Sequence, residues 1–207
     1  MYTPGFNHVA DRAVLIEAMQ AYSFAILFGP QSGPEWTAPL MATHLPLVVK
    51  DEGPHGLLEG HFAHANRHWR LLDGRESLVV FAGPHSYVSP TLYVDSLSVP
   101  TWNYIAVHAY GTLELVEDEA GKDALVIGLI RAHEPGFEAG WRRMPDQFRQ
   151  SMLAGIVGFR IPISRIEGKF KISQNCEEVE RENVRAAHAA GSEDQQALAG
   201  WMARLNG

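Results

Sequence analysis

From residue 24 onward the apolar side chains of this chain come in short runs cut by glycine and proline, at 24–28, 43–49, 56–62, 77–81 and 104–116. Runs of that length between turn formers predict strands. The last is the longest, with Ile105, Val107, Leu113 and Leu115 on one face and Tyr104, His108, Tyr110 and Thr112 on the other. One face is expected to meet a core and the other something more polar. Strand character returns at 156–163 and 168–173. Helices frame the strands. Asp11 is placed to cap a helix carrying Val14, Leu15, Ala18, Met19 and Tyr22 at helical spacing, with Arg12, Glu17 and Gln20 outward. A second helix is predicted over 122–132 with Leu125, Leu129 and Ile130 inward, and Pro145 opens a third with Phe148 and Met152 as its inner face. Ser192 and Gln195 form a capping box ahead of Leu198, Trp201, Met202 and Leu205. The pattern predicts one α+β domain over 1–207, a mostly antiparallel sheet of six or more strands with a helical tail from about residue 177. Short, evenly spaced strands favour closing such a sheet into a barrel, which removes its edges.

At 207 residues the chain is long enough to bury a substantial core without metal or disulfide support. Its single cysteine, Cys176, cannot form an internal bridge. No apolar run approaches the roughly 20 residues of a membrane span. The opening MYTP lacks the basic and apolar regions of a signal peptide. Together these predict a reduced, cytoplasmic protein with no membrane partner. The net charge of −7 comes with scattered Lys and Arg, so a general attraction to nucleic acid is not encoded. Arg131, Arg142, Arg143 and Arg149 would form a modest basic surface on the central helices.

Four constellations carry chemistry. In ATHLP at 42–46, Thr43 and Leu45 face one way on a strand and His44 and Pro46 the other, which offers a hydroxyl and backbone amides to a ligand. The plainer reading is an edge strand with a satisfied histidine. In GHFAHANRHW at 60–69, a helix would align His61, His64 and His68 as metal ligands. No cysteine or acidic fourth ligand accompanies them, and a strand entering a turn at Asn66, a residue tolerant of left-handed backbone, is preferred. GPHSYVSP at 83–90 with PTWNY at 100–104 reads as turn-rich sequence in which Ser86, Tyr87 and Ser89 supply polar groups and Tyr87 and Trp102 cover a flat heterocycle. At 168–175, Lys169, Lys171 and Ser173 alternate on one strand face toward an anion, while Gln174 and Asn175 either bond a heterocycle edge or lock a loop. No dinucleotide, phosphate-loop or nucleophile-elbow motif is present. The carboxylates Glu59, Asp95 and Glu134 are scattered and nominate no acid/base pair, so no catalytic residue is assigned.

Taken in order, these segments resemble the PaiB-type proteins, described as FMN-binding negative transcriptional regulators. The resemblance runs through MYTP at 1–4, ATHLP at 42–46, Gly60-His61, Ala65-Asn66 with Trp69, FAGPHSYVSP at 81–90, PTWNY at 100–104, Val107-His108 with Tyr110-Gly111, GIVGF at 155–159 and KISQN at 171–175. It implies a split β-barrel with peripheral helices, related to the pyridoxamine phosphate oxidase-like flavoproteins, and a homodimer with FMN in clefts between subunits. It implies cofactor contacts from Thr43, His44, His61, Ala63 and Asn66 and from Lys171, Ser173, Gln174 and Asn175, the last set from a partner subunit, and the reading of the residues themselves adds Tyr87, Ser89, Trp102 and Asn103. Two positions depart from the family pattern: Arg67-His68 stands where relatives have proline and glutamine, and Thr91-Leu92-Tyr93 where they have Ser-Trp-Tyr. The implied role is regulation. The alternatives are a flavin-dependent oxidoreductase acting on a small molecule, a haem-binding or haem-degrading relative, and a dimeric scaffold with a degenerate pocket.

Overall fold

The computed structural model describes residues 1–30, 40–94 and 97–205, so Asp95 lies outside the described residues. In chain order the elements are β1 (His8–Val9), α1 (Arg12–Ala21), β2 (Phe24–Pro30), β3 (Leu40–Pro46), β4 (Val48–Lys50), β5 (Leu57–Ala63), α2 (Trp69–Leu72), β6 (Glu76–Val88), β7 (Thr101–Thr112), β8 (Glu114–Val116), α3 (Glu119–His133), α4 (Glu138–Arg143), α5 (Asp146–Ala154), β9 (Ile156–Lys171), α6 (Glu178–Ala189) and α7 (Glu193–Leu205). Hydrogen-bonded neighbours follow the order β3-β2-β6-β7-β9-β5-β4, with β1 and β8 also on β9. The chain forms two compact units, one of residues 1–15, 82–107 and 167–207, the other of 16–81 and 108–166. Three long strands, β6, β7 and β9, contribute residues to both.

In the first unit β1 pairs antiparallel with the end of β9, His8 opposite Lys169 and Val9 opposite Gly168. Gly168 is required there, because a Cβ would lie 2.9 Å from the Val9 carbonyl oxygen and 2.2 Å from a Leu15 methyl. Phe170 and Ile172 are buried, and Phe170 meets Trp201 of α7 edge-on at 5.2 Å. The capping box forms: the Ser192 amide donates to Gln195 Oε1 at 2.8 Å and the Gln195 amide to Ser192 Oγ at 3.4 Å. Leu198, Trp201 and Met202 follow it into the core, while Leu205 stays half-buried.

In the second unit β2 and β3 form an antiparallel pair with Leu27 opposite Thr43, and β5 runs against β9 from Leu57–Pro162 to Ala63–Ile156. Phe62 and Phe159 pack with tilted rings at 4.9 Å in a core that includes Leu27, Leu58, Leu72, Val79 and Ile161. Glu59, 3% exposed, is held between Lys50 Nζ and Arg160 Nε at 2.8 Å each, the latter directly across the strand pair. A smaller cluster of Ile127, Trp141 and Leu153 joins α3, α4 and α5.

Several expectations need correction. Residues 83–88 are not turns: β6 runs through them to Val88. Its register with β2 covers Leu78–Val80, so Pro84 sits beyond that pairing, where a strand tolerates the missing N–H. The two strands expected at 156–163 and 168–173 are one, β9, of 16 residues. Leu113 is buried with Ile105 and Val107, but Leu115 is only half-buried, since the alternation shifts after β7 and buries Val116. On α5, Phe148 and Met152 are exposed at 48% and 46% and the buried residue is Leu153. The inward stripe holds Arg149 and Leu153, about 100° round the helix, with Leu153 packed on Ile127 and Trp141 and Arg149 reaching Asp146 at 2.6 Å and Asp123 at 3.7 Å. Of the inward set on α3, Leu125 is buried with Ile127, and Leu129 and Ile130 are half-buried. Part of the arginine surface is paired: Arg131 and Arg142 share Glu138, at 2.6 and 2.8 Å, and hold its carboxyl down to about 2. Asn66 does not take the left-handed conformation; Ser173 does, at φ 65°.

Candidate functional site

The first unit contains an open cavity of about 840 Å³, within the range of cofactor-sized sites. Its aromatic wall is Tyr2, Phe6, Trp102 and Tyr104, and its polar wall is Lys169, Lys171, Ser173, Asn175, Cys176, Tyr93 and Glu180. Period-two geometry explains the pairing of walls: Trp102 and Tyr104 share a face of β7, and Lys169 and Lys171 share a face of β9. The Lys171 ammonium donates to Thr101 Oγ1 at 2.6 Å and to the Trp102 carbonyl at 2.7 Å. Lys169 donates to the Tyr2 carbonyl at 3.1 Å and lies 5.4 and 5.3 Å from the Tyr2 and Tyr104 ring centroids. An ammonium has three protons, so one on Lys171 and two on Lys169 remain for an anion. Burial pushes Lys171 below its usual value, and the charge on Lys169 acts in the same direction.

Across the cavity Tyr93 and Cys176 are neutral, and beside them lies the acidic Glu180, whose Oε1 accepts the Val94 amide at 3.1 Å. Burial, with Cys176 and Glu180 nearby, pushes the Tyr93 phenol up to about 12, and burial raises the Cys176 thiol. At neutral pH the thiol is therefore protonated and a poor nucleophile. Ser173 lines the cavity, its Oγ accepting from Asn103 Nδ2 at 3.0 Å, and the adjoining strand end is held by Gln174, whose Oε1 accepts the Ile172 amide at 2.8 Å.

The second unit holds a separate polar cluster. Thr43 Oγ1 and His68 Nδ1 share a hydrogen bond of 2.8 Å, Asn66 Nδ2 donates to Thr43 Oγ1 at 3.3 Å, and the His68 amide donates to Asn66 Oδ1 at 3.1 Å. His68 is fully buried, its Nε2 lacks a partner among the described residues, and burial lowers its pKa. His61 on β5 is also lowered by burial. His44 points the other way, stacked 6.3 Å from Phe24, and Ala63 accepts the Asn66 amide at 2.9 Å. Since the segment is a strand, a turn and a one-turn helix, His61, His64 and His68 do not share a helical face.

Of the residues read from sequence, Trp102, Lys171, Ser173 and Asn175 line the cavity, and Thr43 meets Asn66 in the second unit. Asn103 is buried behind Ser173. Gln174 locks the strand end, its Nε2 donating to the Phe170 carbonyl. Ser89 caps the 3-10 turn Pro90–Leu92, and Tyr87 packs edge-on to Trp102 at 6.3 Å. Sequence reading missed Tyr2, Tyr93, Tyr104, Cys176 and Glu180 as lining. Tyr104 had a signal, its parity with Trp102; Tyr2 stood in the MYTP motif, but no local period places it beside Lys169.

Residues 1–165 match the family described as "Putative FMN-binding domain". The chain belongs to this family, the PaiB-type FMN-binding proteins. It is 34% identical over 187 residues to the protease synthase and sporulation protein PAI 2 of Bacillus subtilis, covering 89% of this chain and 87% of that protein. An uncharacterized protein of Emericella nidulans is 26% identical over 223 residues, covering 89% and 88%. Among solved structures, the FAD and haem binding protein from Mycobacterium smegmatis superposes with a TM-score of 0.61 at 17% identity, over 90% of this chain and 81% of that one. The flavocytochrome Anf3 from Azotobacter vinelandii gives 0.59 at 15%, over 80% and 69%. At such identities the likeness is one of fold, and the fold class is the antiparallel split barrel with peripheral helices. The family match ends at residue 165, so Lys169, Lys171 and Ser173 lie beyond it.

Proposed function

We propose that this PaiB-type protein is a cytoplasmic homodimer that holds FMN and serves a negative regulatory role of the PaiB kind. The observation that carries the cofactor assignment is the pair of lysines facing three aromatic rings in one cavity, in a chain of an FMN-binding family. The donor set fits the group: three ammonium protons suit a phosphate, and Tyr2, Trp102 and Tyr104 suit a flat ring system. When bound, a flavin supplies electron-transfer chemistry. The chain supplies orientation and charge. Thr43, His61, Ala63 and Asn66, with the backbone of His44, form a second proposed contact set, tested separately by Asn66→Ala and the FMN it retains.

The dimer is supported by apolar exposure at the cavity: Tyr2, Phe6, Leu97, Val99 and Trp102 are each more than half exposed, as a surface covered by a second copy would be. Three strands contributing to both compact units support reading the chain as one domain. A lone cysteine, and no helix among the described residues long and apolar enough to cross a membrane, support the cytoplasmic assignment. Haem is the alternative group, since two proteins of similar fold are a flavocytochrome and an FAD and haem binding protein. An absorption spectrum of the purified protein separates them: flavin bands support the proposal, and a Soret band with no flavin overturns it. The regulatory half is tested by a gel shift across salt concentrations, where binding to promoter DNA no stronger than to random duplex removes a direct DNA-binding mode.

A further inference from the structure

Ser173 is the one non-glycine residue with left-handed backbone among the described residues, and it is 4% exposed. Side-chain-bearing residues hold that conformation only when their surroundings enforce it, and such positions gather at ligand sites. The enforcing group is Asn103, fully buried on β7, whose Nδ2 donates to Ser173 Oγ at 3.0 Å and whose Oδ1 accepts from that hydroxyl at 3.3 Å. The Cys176 amide donates to the Ser173 carbonyl at 3.1 Å and closes the turn. Its consequence is spatial: Ser173, Asn175 and Cys176 all reach the cavity wall instead of continuing the strand. Asn103 also directly follows Thr101 and Trp102, the two residues that hold the Lys171 ammonium. One buried contact thus sets the position of Lys171 from both strands.

We propose that Asn103 and Ser173 are a positioning pair that aims Lys171 and Asn175 at the anionic group of the cavity's ligand. This rests on the reading of the cavity as the FMN site. Asn103 does not line the cavity, so it acts through Ser173.

The test uses the full chain, with FMN and its phosphate-free counterpart riboflavin as probes. Ser173→Gly keeps the left-handed conformation open to the backbone and is expected to fold. Its affinity for FMN is expected to fall roughly tenfold, the scale of one misplaced charge-assisted hydrogen bond, and by clearly more than its affinity for riboflavin. Asn103→Ala is expected to give the same pattern without removing any group that faces the cavity. Amide exchange at residues 174–176 is expected to quicken in both. Unchanged FMN affinity in folded variants, or equal loss for FMN and riboflavin, overturns the proposal. If the parent protein takes up neither flavin, the functional reading fails by itself. The pair is then judged by exchange, and unaltered protection at 174–176 overturns it.

Discussion

Lys171 is oriented before any ligand arrives, since two of its three protons are already committed to Thr101 and Trp102. A preset ammonium loses little freedom on binding, which is where affinity for an anion is gained. Lys171→Met is expected to weaken FMN binding by about tenfold or more while leaving riboflavin binding within about twofold, because only the phosphate contact is charge-assisted. Flavin fluorescence titrations measure both, and equal weakening would place the phosphate elsewhere. The lysines were legible in sequence through their period-two spacing beside an amide-rich strand end. Ser173 was legible as a polar group but not as a left-handed one. That conformation is imposed by Asn103, 70 residues away in sequence, and local propensity pointed to Asn66 instead.

Among the elements, α5 shows how a correct period selects the wrong stripe. Phe148 and Met152 are spaced for a helix, yet it is Leu153 that enters the cluster with Ile127 and Trp141, and Arg149, one turn before it, pairs with Asp123 and Asp146. Leu153→Ala is expected to cost about 2–4 kcal/mol in urea unfolding, whereas Phe148→Ser is expected to change stability by about 0.5 kcal/mol or less. The reverse ranking would contradict this packing. Strand boundaries failed for a related reason. Gly83, Pro84 and Ser86 are turn formers, but the part of β6 beyond its pairing with β2 accepts them as well. The capping signals at Asp11 and Ser192 succeeded because a cap is decided within one turn of helix. Helix α6 adds a pH effect. His188 is buried, both its ring nitrogens lack partners among the described residues, and burial lowers its pKa. The native state therefore keeps the ring neutral while the unfolded chain binds a proton near pH 6.5, so stability is retained above that pH and lost as pH falls below it. His61 and His68 act in the same direction. His188→Leu is expected to flatten this acid limb, read as a smaller drop in urea midpoint between about pH 7.5 and about pH 5. An equal drop in both proteins would exclude His188 as a source.

For the molecule as a whole, the strand pattern was sufficient for an antiparallel α+β fold, and the collinear motifs were sufficient for the family. Neither reached the cavity's full lining, because Tyr2, Tyr93 and Cys176 meet only through chain returns of 80 residues and more that no local period encodes. The net charge of −7, with Arg131, Arg142 and Arg149 of the central helices each in ion pairs, leaves these helices only weakly placed to attract DNA. Regulation through these helices would need a partner or a basic surface formed elsewhere. The central claim is that the chain holds FMN and recognises its phosphate. Equilibrium dialysis of the flavin-free protein against FMN, with riboflavin in a parallel cell, tests it most directly. The account gives saturable uptake of FMN and about tenfold or more weaker uptake of riboflavin. No uptake of FMN, or equal uptake of the two, would contradict it.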